Sequence, residues 1–282
     1  RRYDLSTLRG LDLHVIYWGS PSIAHTILSW EFEDGQRLAA SIETRSKVGQ
    51  SYSAVRGFFR QYELYYVLAD ERDVIGLRTN HRHEDVYTYR LRTPPARARA
   101  LLLDYLKTVN RLADKPKWYN AFTDNCTTTI RMHAGNAMGA IPLDWRWLAN
   151  GYLDELLYEK GVVNRSMPFA ALKSLSYINP KAQALPLDDN FSRAIHQGLP
   201  PEVDVSRPGG LAQRMGPRAA EQAAVPRLRV AAVLPHTVEV GEGLRGVQVV
   251  PAPHVERRHA DIGPAGLVVV IVREDLLGRA RP

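Results

Sequence analysis

The chain has 282 residues, 45% apolar and 24% charged, with a net charge of +7. That balance excludes wholesale disorder, and a single cysteine, Cys126, excludes a disulfide framework. The longest apolar run, Leu267–Val272, falls far short of the ~18–20 residues that span a bilayer. No basic cluster interleaved with aromatics marks a nucleic-acid footprint.

In chain order, Leu13–Trp18 reads as a strand ended by the turn Gly19-Ser-Pro-Ser. His25–Phe32 and Arg37–Glu43 both alternate, with Glu33-Asp34-Gly35 between them, so a hairpin is predicted. Loop length fixes its register. A three-residue loop, a type I turn closed by Gly35 in the left-handed region, sets His25 opposite Glu43. A two-residue loop would set Thr26 there instead. The three-residue form is the expectation. Tyr62–Leu68 and Val86–Leu91 are further strands, the second ended by Pro94-Pro95. From Ala96 the period changes. Leu102, Leu106, Val109 and Ala113 fall at helical spacing, which predicts a helix to Asp114 stopped by Pro116. A second helix is predicted from Asp124 or Asn125, both good N-caps. A third covers Asp154–Lys160 and ends at Gly161. The result is an α+β domain.

The composition changes near residue 200. All 24 aromatics and all 7 lysines lie before position 201, and 40 of the last 82 residues are Ala, Gly, Pro or Arg. Aromatics supply much of the area a core buries. Two units are therefore expected: a functional domain at 1–200, and a tail at 201–282 that is flexible, with a short strand at Leu267–Val272, or is not native to the protein (an out-of-frame translation). The first residue is Arg1, so a leader or membrane anchor is expected upstream.

The chemistry centres on three residues. Cys126 follows the predicted cap in Thr-Asp-Asn-Cys-Thr-Thr, within the first helical turn. There the helix dipole and free N–H groups favour a thiolate and could hold an oxyanion. His25 opens its strand, and Glu43 faces it in the expected register. On the residues alone each also has a plain reading: Cys126 as a small buried hydrophobe, His25 as a strand histidine with a backbone partner, Glu43 as an edge charge or a partner for Arg45. Asn125, Trp118 and Tyr119 adjoin the cysteine and are candidate pocket walls, and Arg45 is a candidate for an anionic head group. His133 lies two turns along the helix, too far to serve as base, and is read as packing or facing solvent. His81-Arg-His83 reads as a polar loop, and no metal site is predicted.

Several ordered blocks resemble one bacterial family: Asp12–Trp18 with Gly19, Ile23-Ala-His-Thr26, Ser41-Ile-Glu-Thr-Arg45, Gly57-Phe-Phe-Arg-Gln-Tyr-Glu63, Trp118-Tyr-Asn120 and Asn125-Cys-Thr-Thr128. They are similar to the Lnb N-terminal periplasmic domain family, over about 1–200. The resemblance implies a circularly permuted papain-like fold, similar to NlpC and lecithin–retinol acyltransferase relatives, with an antiparallel sheet and packed helices. In that arrangement a strand histidine comes first, a polar residue follows on the next strand, and the cysteine comes last at a helix N-terminus. It implies a Cys126–His25–Glu43 mechanism through a thioester and no cofactor. Lipid or lipoprotein acyl chains are the implied partners, at a membrane surface in the periplasm. Cell-wall peptide cleavage and a non-enzymatic envelope domain are the alternatives.

Overall fold

The computed structural model describes residues 2–45, 63–115, 117–120, 125–201 and 227–229. Gly57–Tyr62, Pro116, Asp124 and Leu267–Val272 lie outside them. The elements run β1 (Arg2–Asp4), β2 (Leu8–Tyr17), β3 (His25–Phe32), β4 (Arg37–Arg45) and β5 (Glu63–Ala69). Helix α1 (Glu71–Gly76) then passes into a π-helical turn at Leu77–His81. After it come β6 (Asp85–Arg90), α2 (Pro95–Asp114), α3 (Cys126–Met138) and α4 (Leu153–Glu159). Three short helices follow: α5 (Phe169–Ser176), α6 (Asn179–Gln183) and α7 (Phe191–Ile195). From the tail, Arg227–Arg229 forms β7, which pairs antiparallel with β1.

The fold class is α+β, built on an antiparallel five-stranded sheet in the order β5-β4-β3-β2-β6. The five strands and three helices predicted within 1–200 are present. β2 begins earlier than its alternation indicates, at Leu8, because the ladder to β3 shifts register between Leu8 and Gly10. The hairpin has the three-residue loop. Ile27 pairs with Ser41 and Leu28 with Ala40, the register that carries His25 opposite Glu43. Gly35 closes the turn at φ +81°, and its N–H donates to the Phe32 carbonyl at 2.9 Å.

β3 alternates in sequence, yet all eight of its residues are buried. Helices cover both faces of the sheet. On one face Leu13, Leu28, Trp30 and Ala40 pack against Leu102, Tyr105 and Leu106 of α2, and the Trp30 indole donates to the Ala98 carbonyl at 2.9 Å. On the other, Ile16, Ile27 and Ala39 meet Val74, Ile75, Ile178, Ala182 and Phe191. The short helices from α6 onward therefore seal what the strands alone present as a polar face. Sealing it also buries charge. Arg37 is 4% exposed and hydrogen-bonds Asp12, and its other nitrogen lies 3.1 Å from Glu31 Oε1. Arg90 bridges the same two acids, 2.8 Å from Asp12 Oδ1 and bonded to Glu31.

Candidate active site

Helix α3 starts where its cap places it. The Asn125 side chain accepts from the Thr128 N–H at 2.7 Å, while the Thr128 hydroxyl accepts from the Asn125 N–H at 3.0 Å. This reciprocal box satisfies two end groups of the helix. It fixes Cys126 as the first helical residue, with its backbone N–H unused by the helix. The Asn125 side chain is thereby engaged in the cap.

His25 opens β3 just beyond the last recorded pair of the β3–β4 ladder. Its Nε2 lies 2.7 Å from Ser41 Oγ and 3.2 Å from Glu43 Oε1. The Ser41 hydroxyl donates to Glu43 Oε1 at 2.6 Å. A hydroxyl has one proton to give, and Ser41 gives it to the carboxylate, so its oxygen accepts from His25 Nε2–H. That assignment leaves Nδ1 as the ring nitrogen not taken by Ser41 or Glu43, and so the one available to the Cys126 thiol, whose titration the ring lowers. Ser41 thus relays the orientation from Glu43 to His25.

The electrostatics favour charge separation. Burial alone would push the His25 imidazolium down, but the Glu43 carboxylate and the Cys126 thiolate outweigh it and hold His25 at about 9. Burial alone would raise the Cys126 thiol. The charge and hydrogen bond of His25, with the Thr26 backbone and the Thr127 hydroxyl, bring it down to about 7. Glu43 stays ionised despite burial because His25 and Arg78 face it, and Ser41 donates to it. The Arg78 guanidinium donates to Glu43 Oε1 at 2.8 Å and is 3.1 Å from Glu84.

Asn150 ties the two halves together. Its Oδ1 accepts from the Ala24 N–H at 2.8 Å, one residue before the histidine. Its Nδ2 donates to Thr127 Oγ1 at 2.7 Å, one residue after the cysteine, and lies 3.8 Å from Cys126 Sγ. Thr26 and Thr127 add a hydroxyl contact at 3.0 Å. The neighbouring Gly151 sits against the loop before His25: its N–H donates to the Ser22 carbonyl at 3.1 Å. A Cβ there would stand 2.0 Å from the Pro21 carbonyl oxygen. Gly151→Ala must therefore displace backbone that leads into β3. It is expected to cost about 1–3 kcal/mol and to raise the Cys126 thiol toward its ordinary value. Thermal melting and alkylation against pH would measure the two effects.

The other candidates are placed as follows. Tyr119 is buried in the core cluster that contains Cys126, whereas Trp118 is exposed. Arg45 ends β4 opposite Glu63, and its side chain lies outside the described part. His133 packs: it is fully buried, stacks on Tyr105, and lies 2.7 Å from both the Tyr66 hydroxyl and Asp104. His81 and His83 are exposed. Sequence reasoning assigned no role to Ser41 and missed Arg78 and Asn150.

No helix among the described residues is long and apolar enough to cross a membrane. No curated protein and no solved structure matches the chain. A family match covers residues 1–151, which include Cys126, His25, Glu43 and Asn150. With more than half of its length inside that match, the chain belongs to the Lnb N-terminal periplasmic domain family.

Proposed function

We propose that this domain is a thiol-dependent acyltransferase of the bacterial envelope, with Cys126 as nucleophile, His25 as base and Glu43 as the group that orients it. The observation that carries the reading is the bonded series His25–Ser41–Glu43 beside Cys126, which sits at the buried N-terminus of α3 with its thiol lowered by the His25 ring. A nucleophile backed by a base, itself held by a third group, is the arrangement activated thiols need. The order of histidine strand, acidic strand and cysteine helix supports a circularly permuted papain-like architecture.

In the first step the Cys126 thiolate attacks the carbonyl carbon of an acyl ester. A C–S bond forms, the ester C–O bond breaks, and the His25 imidazolium gives its proton to the departing alkoxide. The Cys126 backbone N–H, free at the helix start, is placed to stabilise the oxyanion. In the second step an amine, or water, attacks the thioester. His25 takes its proton, and the thiolate leaves. The scheme uses no cofactor.

Lipid or lipoprotein esters are the proposed donors. Ile23 stands two residues before His25, and Trp145 and Leu148 precede Asn150; all three are exposed apolar side chains. Their segments are joined by the Gly151–Ser22 hydrogen bond and by ring contact between Trp145 and Tyr152. Such a rim suits an acyl chain or a membrane face better than a polar peptide. The domain is proposed to act in the periplasm, at a membrane face.

The test is to incubate the protein with acyl-labelled diacylglyceryl lipopeptide. A hydroxylamine-labile label on Cys126, absent in Cys126→Ala, is expected. Turnover should rise with pH through about 7, as the thiol ionises, and fall through about 9, as His25 loses the proton it must donate. Cleavage of a cell-wall peptide in place of lipid labelling would assign the site to an amidase. An unlabelled, unreactive thiol would leave a binding domain.

A further inference from the structure

A second group of chemistry-bearing side chains lies on the sheet face sealed by α6 and α7. His14 of β2 and Glu71 at the start of α1 are fully buried, and His196 caps the end of α7. His14 Nε2 is 3.3 Å from Glu71 Oε1, and His196 Nε2 is 3.0 Å from Glu71 Oε2. The three donor atoms all lie within 4.8 Å of one another.

Two features separate this trio from an ordinary buried ion pair. First, His14 Nδ1 lies 2.9 Å from the Thr88 hydroxyl, which fixes the ring and turns Nε2 toward the other two residues. Yet Nε2 has no hydrogen-bond partner among the described residues, and its approach to Glu71 is not aligned as a hydrogen bond. A buried imidazole nitrogen without a partner costs about 1–3 kcal/mol, so something is expected to satisfy it. Second, His196 and Asp12 line a cavity of about 680 Å³, which offers an entry path and room for water. The Arg37 guanidinium is bonded to Asp12, lies 3.1 Å from Glu31, and is a more distant counter-charge of Glu71 at 3.9 Å from Oε1.

The geometry points to a divalent transition-metal site of the zinc class, with His14 Nε2, His196 Nε2 and one Glu71 oxygen as ligands. Two imidazoles and a carboxylate are a donor set that zinc accepts, with metal–ligand distances of about 2.0–2.2 Å. Donors around one tetrahedral ion then stand roughly 3.3–3.5 Å apart, close to the His–Glu separations seen here. Thr88 holds the tautomer of His14, the part an outer-shell residue plays in such sites. Asp12, whose Oδ2 lies 3.9 Å from His196 Nδ1, or water from the cavity that His196 lines, is available as a fourth ligand. The ion would clip α7 and α1 to β2, joining residues 14, 71 and 196.

Zinc also binds active thiols, so the experiment separates the two places. Metal-stripped full-length protein, its Cys126→Ser form and the Cys126→Ser/His196→Gln form are titrated with Zn²⁺ against a chromophoric chelator, and with Co²⁺ for its visible spectrum. One zinc per chain retained in Cys126→Ser and lost with His196→Gln is expected, with a zinc-dependent rise in melting temperature in the first form alone. Thr88→Val, which keeps the side chain's shape, should weaken zinc by roughly 10–100-fold and guards against misfolding of the histidine variant. Zinc lost in Cys126→Ser, zinc indifferent to His196→Gln and Thr88→Val, or no stoichiometric binding at all would overturn the site. None of these outcomes depends on acyl transfer, so this inference and the proposed function fail separately.

Discussion

Replacing Cys126 with alanine is expected to reduce acyl transfer by on the order of a millionfold, the scale on which a covalent nucleophile is lost. The fold should survive, because Cys126 contributes one small buried side chain and the helix start is held by Asn125 and Thr128. His25→Ala tests the same unit from the other side. The thiol should then titrate at or above its ordinary ~8.5 rather than at about 7, since burial remains and its counter-charge has gone. Alkylation by iodoacetamide across pH measures this directly. Glu43→Gln should give an intermediate shift. Ser41 still reaches the amide, Arg78 still turns toward Glu84, but the negative charge that sustains the imidazolium is lost. A thiol with the same profile in all three proteins would remove the dyad.

The second large effect is structural. Arg37→Ala should destabilise the domain by about 3–5 kcal/mol, the cost of removing one partner from a buried ion network. Asp12 and Glu31 would keep Arg90 and the largely exposed Arg9 as arginine counter-charges. The sign of the pH dependence follows from Glu31, whose carboxyl is buried but is held at about 2 by Arg37, Arg9 and Arg90. In the native chain the stability from this depression is complete above about 4.5 and is lost as pH falls through about 2. The variant has less of it to lose, so the gap between the two proteins should narrow on acidification over that window. Denaturant midpoints at neutral and acidic pH would show it, and a gap below ~1 kcal/mol at pH 7 would mean the network is dispensable.

Much of the site was legible because short-range rules fixed it. The loop Glu33-Asp34-Gly35 sets the hairpin register, and register sets His25 against Glu43. The good N-caps Asp124 and Asn125 place the start of α3 to within a residue, and with it Cys126 in the first helical turn. Neither inference needed the rest of the chain. Asn150 and Arg78 were not legible for the converse reason. Asn150 sits in a short irregular turn and acts on residues more than 120 positions away at Ala24. Arg78 sits in a π-helical turn that leaves no apolar period to read. The buried charges of β2, β3 and β4 were hidden by a different effect. Asp12, His14, Glu31 and Arg37 look like the solvent side of a sheet until α6 and α7 cover it, and those helices are too short to show periodicity.

The contact between Thr26 and Thr127 spans 101 residues of chain, and the imidazole and thiol meet across the same interval. Contacts of such separation form late, because closing so long a loop comes at an entropic cost that only a nearly complete structure offsets. Until then the thiol has no counter-charge and stays mostly protonated at neutral pH. Reactivity in this chain is therefore a property of the finished tertiary structure. Under the proposed mechanism, a nascent, unfolding or truncated molecule carries a quiet sulfur, and the thiol becomes reactive only when the polypeptide has folded around it.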